Sequence, residues 1–243
     1  MSEMKIAVLQ MNVTEDPNEN IEKATKLTEH LEGYTILLPE LFTTGFRYPL
    51  IRSLEQNHHD IVDKLPSSNR YMGSVVRNNG DERFNSFFIK DSKGTRFPYD
   101  KKHLFPLMDE DKNFAPGNRK GIVNLDGIKC GTSICFDLRY PDRDHFCEAP
   151  QIIFAAAQWP AVRKKHLRAL VSARAVENQC WFVLCNAAGN IGGALFGGGS
   201  IILTPWGETA VDAHDTEDAL LTFDADLDSV TEVRKTIPID RKP

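Results

Sequence analysis

CGTSICFDLRYP, residues 130–141, carries two cysteines five positions apart, the second where an apolar run gives way to charged residues. The longer run IKCGTSICF reads as a strand, and the Asp126-Gly127 turn before it pairs it with GIVNL in a hairpin. In a regular strand an odd separation puts Cys130 and Cys135 on opposite faces, so only one of them can face a given crevice. Cys135 falls at the strand's carboxyl end, where open α/β sheets build their sites. Cys130 falls mid-strand, where a cysteine behaves as a small hydrophobe. A cysteine nucleophile attacks as the thiolate, and a thiol with a pKa of about 8.5 is scarcely ionised at neutral pH. Cys135 therefore needs a base and a cation from elsewhere in the chain.

The chain on either side supplies the fold. KIAVLQ is a short strand; NENIEKATKLTEHLEG spaces Ile21, Ala24, Leu27 and Leu31 as a helix and stops at Gly33; YTILLPE is a buried strand with Glu40 just past its end. YMGSVV, FNSFFI and TRFPYDK follow, separated by the turn signals NNGDE and DSKG, and read as a meander in the same sheet. Beyond Pro141 the sequence predicts a short helix, then the strand IIFAAAQ, the long helix AVRKKHLRALVSARAVEN and the strand QCWFVLCN. IILTPWGE and ALLTFDAD close the set, with a last helix over Leu227–Lys235. The glycine-rich GNIGGALFGGGS lacks the GxGxxG order of a nucleotide loop and opens into a strand, so it reads as a flexible loop at a pocket edge. Strand–helix–strand units at both ends, with hairpins between them, imply a mixed sheet or two stacked sheets flanked by helices.

Composition narrows the function. A chain of 243 residues, 41% hydrophobic and without a linker-like stretch, suits one domain over 1–243. A net charge of −5, with basic residues scattered among acids, argues against nucleic acid as a partner. No stretch approaches the roughly 20 apolar residues that span a bilayer, and MSEMKIAVLQ is no signal peptide, so the expected setting is cytoplasmic, away from membranes. Five cysteines, none in a CxxC pair, read as free thiols, and His58 and His59 lack partners at a metal spacing. No metal is expected.

Three blocks carry a resemblance. LLPELFTTGF (37–46), YDKKHLFP (99–106) and ICFDLRYP (134–141) are similar, in order and approximate spacing, to the signature blocks of the nitrilase superfamily of carbon–nitrogen hydrolases. The likeness continues through QWPAVRKKHLRALVSARAVENQCWFVLCNAAG, GGGSIILTPWGE and VRKTIP, nearly the whole chain. It implies an αββα sandwich of two mixed sheets, a cofactor-free enzyme, a homodimer or higher homo-oligomer, and a small-molecule amide as substrate. It also implies a glutamate, lysine and cysteine triad at Glu40, Lys101 and Cys135, with Glu110 in LMDEDKNFAPG resembling a second glutamate beside the lysine.

Those residue types suit amide hydrolysis. Glu40 can take the thiol proton and return it to the departing amine, Lys101 can stabilise an oxyanion, and the backbone N–H of Phe136 can supply a second donor. QWPAVR resembles the corresponding region of bacterial omega-amidases, which suggests Trp159 as a pocket wall and Arg163 as a partner for a substrate carboxylate, against the alternative of a helix-surface charge. Other small amides, N-carbamoyl compounds, nitriles, or a non-catalytic ligand-binding role remain alternatives. Asp137 and Arg139 look suited to a local salt bridge, Arg174 and Glu177 to an i,i+3 pair, and His103 to holding the lysine loop.

Overall fold

Hydrophobic alternation divides the strands between two interfaces. The computed structural model describes residues 3–191, 193–214 and 217–241. The first sheet comprises β1 (Glu3–Gln10), β2 (Thr35–Leu37), β3 (Arg70–Asn79), β4 (Glu82–Asp91) and β5 (Gly94–Asp100). The second begins with β6 (Ile122–Leu125), β7 (Ile128–Ile134), β8 (Ile152–Ala157) and β9 (Trp181–Asn186). A small hairpin, β10 (Ala188–Ile191) with β11 (Ala194–Gly197), stands apart; β12 (Ile201–Leu203) and β13 (Thr209–Asp212) complete the second sheet, and β14 (Ala219–Asp226) returns to the first.

Each sheet has six strands, in the orders β14-β1-β2-β3-β4-β5 and β13-β12-β9-β8-β7-β6. In each a parallel trio is flanked by antiparallel strands, β1-β2-β3 in one and β7-β8-β9 in the other. Along β1, Ile6 and Val8 join the core shared with the second sheet, whereas Ala7 and Leu9 join the core beneath α1 (Pro17–Thr28). β4 repeats the division, with Phe87 and Ile89 on one side and Phe88 on the other. This is the period of two expected of strands buried on both faces.

The remaining helices are α2 (Tyr48–Ser53), α3 (Glu110–Asn113), α4 (Arg143–Glu148), α5 (Lys164–Asn178) and α6 (Asp228–Thr236). α1 starts at Asp16, whose side chain accepts the N–H of Asn18, and Pro17 occupies the first turn. It presents Ile21 and Ala24 to the first sheet and ends at Thr28, short of the expected stop at Gly33, because the chain must turn there toward β2. α5 lays Leu167, Val171 and Ala175 on the second sheet. The result is an αββα sandwich. Among the described residues no helix is long and apolar enough to cross a membrane.

The glycine-rich stretch is a correction. It forms the β10–β11 hairpin instead of a flexible loop, and a bridge between Pro160 and Phe196 ties it to the segment after β8. Its Ile191 packs against Gly45 so closely that a Cβ there would stand 2.9 Å from Ile191 Cγ2, at a backbone φ of +56° that favours glycine anyway.

Phe154, fully buried in the core of the second sheet, tests this packing. Phe154→Ala should lower the unfolding free energy by about 3–5 kcal/mol, read from the urea midpoint.

Candidate active site

The site forms where three strands end. Glu40 lies three residues past β2, Lys101 directly past β5, and Cys135 directly past β7. Cys135 opens a single 3-10 turn, Cys135–Arg139, with φ +45°, a left-handed value that costs a non-glycine residue about 1–2 kcal/mol. Leu41, following Glu40, has φ +44°, and Asp109, preceding Glu110, has φ +53°. Three sharp reversals therefore surround one spot, which is where backbone strain tends to be held for function. The strand-parity argument for Cys135 does not apply to a residue in this conformation. Cys130 stays in the core, its thiol 3.6 Å from the carbonyl of Ile128, and burial pushes it up to about 12.

The charged groups converge in full burial. Lys101 Nζ donates to Glu40 Oε1 at 2.7 Å, to Glu110 Oε1 at 2.8 Å and to Glu110 Oε2 at 2.7 Å. Asn85, from β4, donates through Nδ2 to Glu40 Oε1 at 2.8 Å and to Glu110 Oε1 at 3.1 Å. Backbone amides complete the set: Gln158 N–H donates to Glu40 Oε2 at 3.0 Å, and Phe105 N–H to Glu110 Oε2 at 2.7 Å. Gln158 also donates through Nε2 to the Glu40 carbonyl at 2.6 Å, joining the ends of β2 and β8 across the sandwich. Its own carbonyl accepts the Cys135 thiol at 3.9 Å.

Electrostatics follow from this arrangement. Burial raises the Glu40 carboxyl above its ordinary range, with Lys101 pulling back and Glu110 adding to the rise. Burial opposes the Lys101 ammonium, but Glu110 and then Glu40 outweigh it and hold the lysine charged, well above its ordinary value. Burial, then Glu40, pushes the Cys135 thiol well above its ordinary value in spite of Lys101. The resting cysteine is a neutral thiol beside a carboxyl of raised basicity, so its activation requires proton transfer to that carboxyl.

A narrow cleft opens onto Cys135 and Lys101. Phe46, Phe105, Phe136 and Trp159 wall it, and Arg139 and Arg163 add positive charge. The Arg163 guanidinium stands 5.5 Å from the Phe105 ring centre, and that of Arg139 4.9 Å from Trp159. Neither forms an ion pair with a carboxylate among the described residues. Trp159 is held by its indole N–H on the Arg163 carbonyl at 3.0 Å. A second cavity behind the Cys135–Arg139 turn, lined by His103, Asp142 and Arg174 among others, contains neither Cys135 nor Glu40.

All seven residues singled out in the sequence therefore lie in or against this site: Glu40, Lys101, Glu110, Cys135, Phe136, Trp159 and Arg163. Phe136 N–H stands at the start of the 3-10 turn, where amides have no partner within the turn. His103 holds its loop as expected, its N–H and Nδ1 each 2.9 Å from Asp137 Oδ1, and Arg174 pairs with Glu177 at 2.7 Å. The Asp137–Arg139 bridge does not form. Asp137 is taken up by His103, by the Tyr99 hydroxyl at 2.8 Å and by the Ile134 N–H at 3.2 Å, while Arg139 turns to the cleft wall.

Sequence reasoning passed over Asn85 and Gln158. Asn85 had a signal: it shares the parity of Phe87 and Ile89 in FNSFFI, a polar residue in an otherwise apolar row. Gln158 acts largely through its backbone, which has no sequence signal.

Comparison with known proteins agrees with this geometry. The family model for carbon–nitrogen hydrolases matches residues 5–235. A 2-oxoglutaramate amidase of Bacillus subtilis is 33% identical over 247 residues, covering 96% of this chain and 95% of its own. The omega-amidase YafV of Escherichia coli K12 is 32% identical, covering 98% and 96%. The crystal structure of XC1258 from Xanthomonas campestris, a CN-hydrolase superfamily protein with an arsenic adduct in its active site, superposes with a TM-score of 0.89 at 26% identity, covering 98% and 96%. Fold, coverage and identity agree: the chain belongs to the carbon–nitrogen hydrolase family, as a hydrolase acting on amides.

Proposed function

We propose that this chain is an omega-amidase, cleaving the terminal amide of a small 2-oxo acid amide such as 2-oxoglutaramate through a thioester on Cys135. The observation that carries the substrate class is the pair of half-buried guanidiniums, Arg139 and Arg163, without carboxylate partners on the cleft above a buried glutamate, lysine and cysteine. A guanidinium without a carboxylate partner, lining an aromatic-walled cleft, fits a substrate carboxylate, which it can grip by a two-point fork. The amidase names of the similar proteins from Bacillus subtilis and Escherichia coli support the same class.

In the first half-reaction Glu40 takes the proton of the Cys135 thiol as sulfur attacks the amide carbon. The negative charge on the carbonyl oxygen is met by Lys101 and by the Phe136 N–H. The three Nζ protons are committed to Glu40 and Glu110 in the resting site, so one contact loosens as the oxyanion forms. The tetrahedral species collapses, Glu40 gives its proton to the nitrogen, the C–N bond breaks and ammonia leaves. In the second, Glu40 deprotonates a water that attacks the thioester, and the proton returns to the departing sulfur. Glu110 serves as anchor for Lys101. The reading also takes the enzyme as cytoplasmic, where its five free cysteines stay reduced, and as a homodimer, with the exposed Val176, Trp206 and Ile237 as apolar surface for a second copy.

Three measurements test this function. Wild-type protein should release ammonia from 2-oxoglutaramate, and Cys135→Ala should lose nearly all turnover while keeping the wild-type melting curve; undiminished ammonia from the variant would overturn the mechanism. Arg163→Ala should raise KM for the carboxylated amide by about 10–100-fold, the weight of a charged hydrogen bond of about 1.5–3 kcal/mol, and leave a neutral amide of similar size nearly unaffected. Equal losses on both would return Arg163 to a surface role. Limited alkylation with peptide mapping should label Cys135 before Cys130, with activity falling in step.

A further inference from the structure

Asn85 lies within β4, fully buried, with an environment unlike that of a filler residue. Its two N–H groups go to two different carboxylates, Glu40 at 2.8 Å and Glu110 at 3.1 Å, and its backbone carbonyl accepts the Lys101 N–H at 2.9 Å. Its Oδ1 is buried without a hydrogen-bond partner. Turning the amide over would set that oxygen against two carboxylate oxygens, acceptor against acceptor. The orientation adopted leaves a carbonyl unsatisfied so that both donors reach the carboxylates.

Lone pairs on the two carboxylates then separate their roles. Each carboxylate oxygen accepts two hydrogen bonds. Glu110 is saturated: Oε1 accepts from Lys101 and Asn85, and Oε2 from Lys101 and Phe105 N–H. On Glu40, Oε1 accepts from Lys101 and Asn85, whereas Oε2 accepts Gln158 N–H and retains one position. Cys135 lies beside this carboxyl: its thiol donates to the carbonyl of Gln158, the residue whose N–H holds Oε2. We propose that Asn85 is a positioning residue that, together with Lys101, closes Glu40 Oε1 to protons and thereby assigns every proton transfer of amide hydrolysis to Oε2.

The proton leaves Cys135 Sγ for Oε2 as the sulfur–carbon bond forms, and passes from Oε2 to the substrate nitrogen as the carbon–nitrogen bond breaks. In deacylation a water proton follows the same route to sulfur. Without Asn85, Oε1 regains an open position, and the carboxyl can hold its proton on the oxygen bound to Lys101 instead of on Oε2. The inference rests on the hydrolase reading of Glu40 and Cys135.

The test is the pH profile of ammonia release by Asn85→Leu beside wild type. The groups that face Glu40 are Lys101 past β5, Glu110 of α3, Cys135 past β7 and Tyr48 of α2. Removing an N–H donor from an ionised carboxylate favours its protonated form, so the acidic limb of kcat/KM, where the base is lost, should move to higher pH by about one unit. kcat should fall by about 10–100-fold and KM stay within about threefold, as expected when an interaction of the reacting groups is lost and binding is kept. Asn85→Ser, which keeps one donor, should shift less in the same direction and carries the test if the leucine variant does not fold. Absence of turnover in wild type would overturn the hydrolase reading itself. An active wild type with an unmoved acidic limb in the folded variants would overturn the role of Asn85, even if their melting temperatures fall, and would leave it an anchor for Lys101.

Discussion

One ammonium between two buried carboxylates sets the terms for the rest of this structure. Lys101, Glu40 and Glu110 are each about as inaccessible as the hydrophobic core, and bringing such charges out of water costs several kcal/mol per ion unless each is met by partners of good geometry. Lys101 alone cannot balance two carboxylates. The surplus negative charge is absorbed by neutral donors: the Asn85 amide and the backbone N–H groups of Gln158 and Phe105. Each donor comes from a different part of the chain, so the sandwich must close before the cluster is satisfied. The ion cluster is a poor source of stability and a strong constraint on assembly.

The surrounding architecture delivers these groups and holds them there. Both parallel trios send their carboxyl ends to the same edge of the sandwich, which brings Glu40 from one sheet near Cys135 and Gln158 from the other. Lys101 arrives from the last strand of the meander, and its backbone is fixed on both sides, by the Asn85 carbonyl at 2.9 Å and by the Gly117 N–H at 2.8 Å. A Cβ on Gly117 would lie 2.1 Å from the Asp100 carbonyl, so this strap approaches closely only as glycine. Leu41, in its left-handed conformation, is held by its N–H on Ser74 Oγ at 2.9 Å. Strained corners persist because neighbours over-determine them.

In the proposed mechanism the same burial that makes the cluster costly makes the chemistry possible. In water a glutamate would be too weak a base and a thiol too little ionised to react at a useful rate. Here burial brings the basicity of the carboxyl upward and keeps the thiol neutral until the proton has somewhere to go. In the cleft beside this cluster the guanidiniums of Arg139 and Arg163 lie over the aromatic walls, on Trp159 and Phe105.

Residues whose chemistry is carried by the side chain and whose place is fixed by local pattern were legible in the sequence. Cys135 and Glu40 follow apolar runs that can only be buried strands, and a residue just past such a strand is delivered to the site edge whatever the neighbouring topology. The helix of α5, the meander β3–β5 and the two βαβ units follow from periodicity for the same reason. What the sequence left open depends on distant segments meeting. The GNIGGALFGGGS stretch pairs as a hairpin whose Phe196 bridges to Pro160 and whose Ile191 packs against the Gly45 turn, contacts that no local propensity encodes. Asp137 turns to Tyr99 and His103 in preference to Arg139 because β5 and the segment after it bring those partners beneath the Cys135–Arg139 turn. Asn85 and Gln158 acquire their roles from hydrogen bonds to carboxylates at least 25 positions away. Local sequence determined where the buried strands run and which side chains follow them; the tertiary structure decided which atoms of those side chains stay free, because lone pairs are filled by partners from other parts of the chain.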